Sequence, residues 1–287
     1  MKLKQAIKSY EKYIQVTKSK GTYRFTKGKT KTLLDYFGNT DCELIDRAFI
    51  LDFILFLRDR NHKITNASIN KYIGLLLRIL KNECDIIVKF DKLPEEKKMI
   101  KVIPDNVIQK VFNYLDNDLY PEFLRNLVMF HLLLDTGLRI SELLSLRIQN
   151  FDFETRTILV TTTKTKVDRY VFYSPETQIL LTQYIVRQKI DSHIFINLTT
   201  REPLSVDRVQ KICQNLQQKI KTRYSISPHK WRHTFATKFV SKNGNMEVLR
   251  ILLGHTTLLT TQKYLHINAE KLRMEYERVN YLSGLRA

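Results

Sequence analysis

The chain has 287 residues, 43% of them hydrophobic and 27% charged, which fits a globular protein with a real core in one large domain or two ordinary ones. No apolar run is long enough to span a bilayer, and the opening MKLKQAIKSYEKYI has no signal-peptide core, so the expectation is a cytoplasmic protein and not a membrane or secreted one. The formal net charge is +19, and residues 1–90 already hold +9 of it, so the excess spreads over both parts of the chain and points to a long polyanion, DNA first and RNA second.

The first 90 residues read as a small helical bundle. Ile7, Tyr10 and Ile14 share one helix face, and Leu33, Leu34, Tyr36 and Phe37 lie on a second helix. RAFILDFILFL (47–57) predicts a third, strongly apolar helix. SINKYIGLLLRIL (68–80) predicts a fourth, with Thr65, Asn66 or Ser68 as its N-cap. Gly21, Gly28 and Gly38-Asn39 punctuate these segments. Residues 89–103, KFDKLPEEKKMIKVI, are charge-rich and read as a linker. Beyond it, Asp105 caps a helix through Tyr114, and a longer apolar helix runs from Glu122 to Leu134. Thr136-Gly137 interrupts it, and a short helix spans Ile140 to Arg147. TRTILVTT (155–162) and DRYVFY (168–173) have the β-branched and aromatic content of two strands, joined by KTKV. Helices follow over 176–189 and 205–221, then one opening at Ser227-Pro228, with Ser as N-cap and Pro first in the helix. A last helix covers 269–287. Cys42, Cys84 and Cys213 form no CxxC pair and read as reduced, mostly buried thiols.

The stretch PHKWRHTFA (228–236) sets His229 and Arg232 three apart in a first turn, where unpaired N–H groups and the helix dipole favour an anion. A zinc site on His229 and His233 lacks the glutamate of an HExxH motif and would sit beside a repelling Arg232. Phosphate is the better ligand. Upstream stands TGLRISELLSLR (136–147), and downstream LLGHTTLLTTQKYLH (252–266).

In this order these motifs resemble the catalytic domain of the tyrosine recombinases, the phage-integrase family, over roughly residues 104–270. The helical first part is similar in size and class to the family's core-binding domain. The resemblance implies a mainly α fold with a small antiparallel β-sheet in the C-terminal domain, arranged as a two-domain C-shaped DNA clamp. Its parts are a SAM-like core-binding domain (1–88), a basic linker (89–103) and a catalytic domain (104–287).

It further implies six catalytic residues: Arg139, Lys164 on the hairpin, His229, Arg232, His255 and Tyr264. Lys166 is the rival to Lys164, and Glu142 matches a supporting acidic residue. Arg139 and Arg232 would clamp the non-bridging oxygens of a phosphodiester. Tyr264 would attack phosphorus, His229 would take its proton, Lys164 would protonate the departing 5′-oxygen, and His255 would hold an oxygen. The arginines would serve where magnesium serves elsewhere, so no metal, ATP, cofactor or small-molecule substrate is expected. Trp231 reads as core packing. His131, His193, His233 and His266 read as structural.

The implied activity is site-specific recombination through a 3′-phosphotyrosyl link and a Holliday junction, in chromosome-dimer resolution or mobile-element integration. The implied partners are double-stranded DNA with a short inverted-repeat core site, and three further copies of the chain in a homotetramer on two duplexes, with or without a second recombinase or accessory protein. With the chain opening in the helical domain, a Xer-like simple recombinase without an arm-binding domain is expected, at the nucleoid. The last helix, with Leu272, Tyr276 and Val279 in a stripe, is expected to dock into a neighbouring subunit. Two other activities would use a similar chain: a type IB topoisomerase, which stays monomeric on DNA, and a non-catalytic regulator, which has no need of Tyr264.

Overall fold

The computed structural model describes residues 1–95, 101–117, 120–161, 168–254 and 269–279. It divides into two compact units, Met1–Lys98 and Met99–Ala287. Among the described residues, no helix is long and apolar enough to cross a membrane.

The first unit is helical: α1 (Leu3–Thr17), α2 (Lys20–Phe37), α3 (Arg47–Arg60) and α4 (Asn66–Cys84). Each presents one apolar stripe inward, and Leu3, Leu33, Ile50, Phe53, Ile69 and Leu76 are fully buried together. Of the three caps considered for α4, Thr65 is the one used, its hydroxyl accepting from the Ser68 N–H.

The expectation that Gly21 and Gly28 break the chain is overturned, since α2 runs through both. A mid-helix glycine costs about 1 kcal/mol. The cap on Ser19, which accepts from the Thr22 N–H, and the burial of Thr26, Thr30, Leu33 and Phe37 outweigh that. After α4 the chain is held to this unit. The Asn70 side chain both donates to the Leu93 carbonyl and accepts from its N–H, each at 2.9 Å.

The second unit mixes helices with a small sheet. Its elements are α5 (Asp105–Leu115), α6 (Pro121–Thr136), α7 (Ile140–Ser145), β1 (Phe151–Asp152), β2 (Thr157–Val160), β3 (Arg169–Phe172), α8 (Pro175–Gln188), α9 (Val206–Lys219), α10 (Pro228–Ser241), α11 (Met246–Leu253) and α12 (Ala269–Val279). Pro104, not Asp105, occupies the N-cap of α5. The sheet is antiparallel in the order β1-β2-β3, and the two-residue β1 adds a strand to the expected pair. Ile158 and Val160 of β2 face inward opposite Val171 and Arg169 of β3. The fold is therefore mainly α with a small antiparallel sheet.

α6 is the centre of this unit. Nearly every side chain from Arg125 to Thr136 is buried, between α10 on one side and α8 on the other. Trp231 of α10 is fully buried, its ring stacked on Phe130 with centroids 4.9 Å apart, and its Nε1–H donates to the Ile226 carbonyl. Core packing is thus its role, as its place inside PHKWRH suggests.

The segment 269–287, expected to dock into a neighbouring subunit, is described only as far as Val279. Over its described length α12 packs at home: Tyr276 and Val279 are buried in the unit's own core, and the Tyr276 ring lies 5.6 Å from Phe172. Tyr276 of the expected stripe thus finds its cover on Phe172 of β3 in the same unit, while the Leu272 side chain lies outside the described ones.

Candidate active site

Three short segments meet at one place. α6 stops at Gly137, a C-cap with φ +60°. A side chain there would collide with the Phe235 ring, 2.3 Å from an added Cβ, so only glycine lets α6 end against α10. Two residues on, Arg139 becomes the N-cap of α7. Its backbone N–H donates to Glu142 Oε2 and its Nη1 to Glu142 Oε1, both at 2.9 Å. The TGLRISEL motif therefore has a local logic: a glycine stop, then an arginine folded back onto the acid three residues later.

The second segment is the end of α11, where Gly254 is again a left-handed C-cap with φ +62°. The last carbonyls of a helix lack intrahelical partners and carry partial negative charge. Here three consecutive carbonyls each accept from a different arginine. Leu252 accepts from Arg169 Nε at 2.8 Å, Leu253 from Arg232 Nη2 at 2.7 Å, and Gly254 from Arg139 Nη2 at 3.0 Å. The third segment is α10, with Ser227 at the N-cap and Pro228 first, as expected, although the Ser227 side chain makes no cap hydrogen bond. Arg232 is buried and also donates through Nη1 to the Gly137 carbonyl at 2.7 Å.

The structure thus brings Arg139 and Arg232, from motifs 93 positions apart in the chain, to neighbouring carbonyls of one helix end. His229 lies one turn before Arg232 on α10 and is exposed, with its ring edge-on to His233 at 4.3 Å. His233 is pushed below its ordinary pKa, by burial first and then by His229, Lys230 and Arg232. Among the described residues, no cluster of three or more His, Cys, Asp or Glu side chains could hold a metal ion. Lys164 and its rival Lys166, His255 and Tyr264 lie outside the described residues.

The electrostatics are those of an anion site. Three guanidiniums, Arg139, Arg169 and Arg232, gather around one carboxylate, Glu142, which leaves two positive charges in excess among the described side chains. Burial first, then the like charge of Arg139, pushes the Arg232 guanidinium down to about 10, and Arg169 adds to the shift while Glu142 opposes it. Two mutually repelling guanidiniums on a rigid frame are stabilised when an anion enters between them. Arg139 is 41% exposed, and it uses two of its five side-chain N–H donors on the protein.

Arg169, which the sequence shows only as part of the strand DRYVFY, is a further residue of this site. A signal was present. Arg169 lies in phase with Val171 on a short strand whose intervening Tyr170 is exposed, which puts an arginine on the inward face.

Comparison with known proteins bears on the family and the fold. The Phage integrase family matches residues 101–271, and the Phage integrase SAM-like domain matches residues 2–84. The chain belongs to the phage integrase family, the tyrosine recombinases. This recombinase is 30% identical to the tyrosine recombinase XerA of Saccharolobus solfataricus over 267 residues, covering 83% of this chain and 86% of that one. It is 28% identical to XerA of Pyrococcus furiosus, covering 94% and 96%. Among solved structures it shares the fold of the Tn1549 transposon integrase in complex with transposon right-end DNA. There the TM-score is 0.74 at 18% identity, with 97% and 99% of the two chains covered. It also shares the fold of a lambda integrase dimer bound to a core site, with a TM-score of 0.71 at 16% identity and 92% and 77% coverage.

Proposed function

We propose that this recombinase cuts and rejoins double-stranded DNA at a short inverted-repeat site, with Arg139 and Arg232 gripping the scissile phosphate and Tyr264 as the nucleophile. The observation that carries this is the pair of guanidiniums anchored on the Leu253 and Gly254 carbonyls at the end of α11. A phosphodiester carries one negative charge, and attack at phosphorus builds more on its non-bridging oxygens. Donors already fixed where that charge develops stabilise the transition state without reorganising, an effect of roughly a hundredfold or more per donor.

In the proposed step the Tyr264 oxygen forms a bond to phosphorus and the bond from phosphorus to the 5′-oxygen breaks. His229, exposed at the site, takes the phenol proton, and Lys164 gives a proton to the leaving 5′-oxygen. His255 holds a non-bridging oxygen. The phosphotyrosyl link keeps the energy of the broken bond, so the 5′-hydroxyl of a second strand reverses the step and yields a Holliday junction. Four copies of the chain act on two duplexes. Similarity to the Xer-named relatives over most of both chains favours a simple recombinase over a topoisomerase.

The test mixes the purified protein with sheared DNA from its host, denatures with SDS, and sequences the ends of captured covalent adducts, with Tyr264→Phe alongside. Wild-type-only adducts at one palindromic site near the replication terminus would assign chromosome-dimer resolution. Adducts at the ends of a mobile segment would assign integration. Scattered adducts would move the protein to the topoisomerases. DNA binding with no adduct in either form would overturn catalysis by Tyr264.

A further inference from the structure

We infer that Arg169 is a positioning residue of strand cleavage: it locks the Glu142 carboxylate in the orientation from which that carboxylate aims the Arg139 guanidinium. This rests on the reading of Arg139 as a phosphate-gripping group. Arg169 opens β3, inward-facing and opposite Val160. Its Nη1 donates to Glu142 Oε1 at 3.1 Å, its Nη2 to Glu142 Oε2 at 2.7 Å, and its Nε to the Leu252 carbonyl at 2.8 Å. All three nitrogens are engaged by protein and the side chain is 5% exposed, so Arg169 does not itself reach a phosphate.

Its effect passes through Glu142. Each oxygen of that carboxylate serves both arginines: Oε1 accepts from the side chains of Arg139 and Arg169, and Oε2 from the Arg139 backbone N–H and Arg169. Held by Arg139 alone, the carboxylate would be clasped from one side, on a helix of only six residues. The planar fork of Arg169 clasps it from the other and removes its freedom to turn.

The same arginine ties this carboxylate to the end of α11, where Arg139 and Arg232 are also anchored. Gly254 makes the approach possible, because a Cβ there would stand 2.8 Å from Arg169 Nη1 and 2.9 Å from its Cζ. A buried ion pair is a poor device for stability alone, since a well-packed apolar pair serves as well or better. An aimed guanidinium at the mouth of the site is what this one provides.

The test uses the full chain and the duplex recovered by adduct capture. The variants are Arg169→Gln, Arg169→Lys, Glu142→Gln, Glu142→Gln with Arg169→Gln, and Arg139→Gln as control. Two quantities are read: the rate of adduct formation at saturating duplex, and the Kd for the duplex in the Tyr264→Phe background. Arg169→Gln should slow adduct formation roughly tenfold to a hundredfold, the loss expected of a misplaced group, with Kd unchanged. Arg169→Lys, which keeps the charge but not the fork, should recover part of the rate.

In the Glu142→Gln background, Arg169→Gln should slow the reaction no further, because the two residues act as one unit. Additive losses, a loss confined to Kd, or a wild-type rate in folded Arg169→Gln would each overturn the role. If Arg169→Gln does not fold, Arg169→Lys carries the test, and a wild-type rate there overturns it. An unimpaired Arg139→Gln would instead sink the reading of Arg139, whereas slow Arg139→Gln beside normal Arg169→Gln would sink only that of Arg169.

Discussion

Replacing Asp135 by asparagine isolates the free energy of one buried carboxyl group. Asp135 sits in the last turn of α6, 2% exposed, four residues before Arg139. Its Oδ2 accepts from the Ser174 N–H at 2.8 Å, the Ser174 hydroxyl at 2.9 Å and the Thr177 hydroxyl at 2.6 Å. Burial raises its pKa from 3.8 to about 7 against those three bonds, and Glu176 adds to the rise. The carboxylate in turn faces α12, where burial and Asp135 together hold the Tyr276 phenol well above its ordinary pKa.

Between those two pKa values the folded chain keeps a proton that the unfolded chain has released. The folded pKa is the higher one, so this contribution is complete below about pH 4 and is lost as pH rises through about 7. At about 1.4 kcal/mol per unit, a displacement of three units amounts to roughly 4 kcal/mol. Asparagine keeps an acceptor oxygen and does not titrate. The unfolding free energy of Asp135→Asn minus that of wild type should therefore climb by roughly 4 kcal/mol between pH 4 and pH 8. The held-down pKa of Glu142 works in the opposite sense, but it is common to both proteins and cancels in the difference. Urea unfolding at a series of pH values reads this directly, because Trp231 is the only tryptophan and lies in the core of the same unit. Parallel stability curves for the two proteins would refute the reasoning.

The remaining predictions concern other constraints. Gly137→Ala combines a left-handed backbone with a collision against Phe235, so it should lower stability by roughly 2–4 kcal/mol in the same Trp231 assay and slow adduct formation by displacing Arg232, which bonds the Gly137 carbonyl, and the nearby Arg139. Cys42 and Cys84 are free thiols whose sulfurs stand 2.9 Å apart in the first unit. Burial first, and then Cys42, pushes Cys84 up to about 12, so the pair should resist air. A small-molecule disulfide at alkaline pH, itself reduced to its thiols, should join the two, giving one cross-linked peptide that Cys84→Ser abolishes. The closed loop of 42 residues should add roughly 3–4 kcal/mol to that unit's stability, by urea unfolding followed by far-UV circular dichroism with and without reductant.

Local physics made much of this protein legible as a sequence. Helical periodicity, the Thr65 cap, the Ser227-Pro228 start and the buried place of Trp231 each depend on residues within a turn or two of one another. The motifs around Arg139, His229 and Arg232 were readable for the same reason, since each is a short run at the end of one element. Other features only the tertiary structure decided. Arg139 meets the Gly254 carbonyl across 115 positions, Arg232 meets that of Gly137 across 95, and Arg169 meets that of Leu252 across 83. No local pattern encodes such partners, because they follow from how α6, α10, α11 and β3 pack. The same holds for Cys42 beside Cys84, and for Tyr276, whose stripe reads alike whether its cover is a neighbour or its own sheet. α2 passes through two glycines because burial of its inward face outweighs a propensity term that sequence displays more plainly than packing.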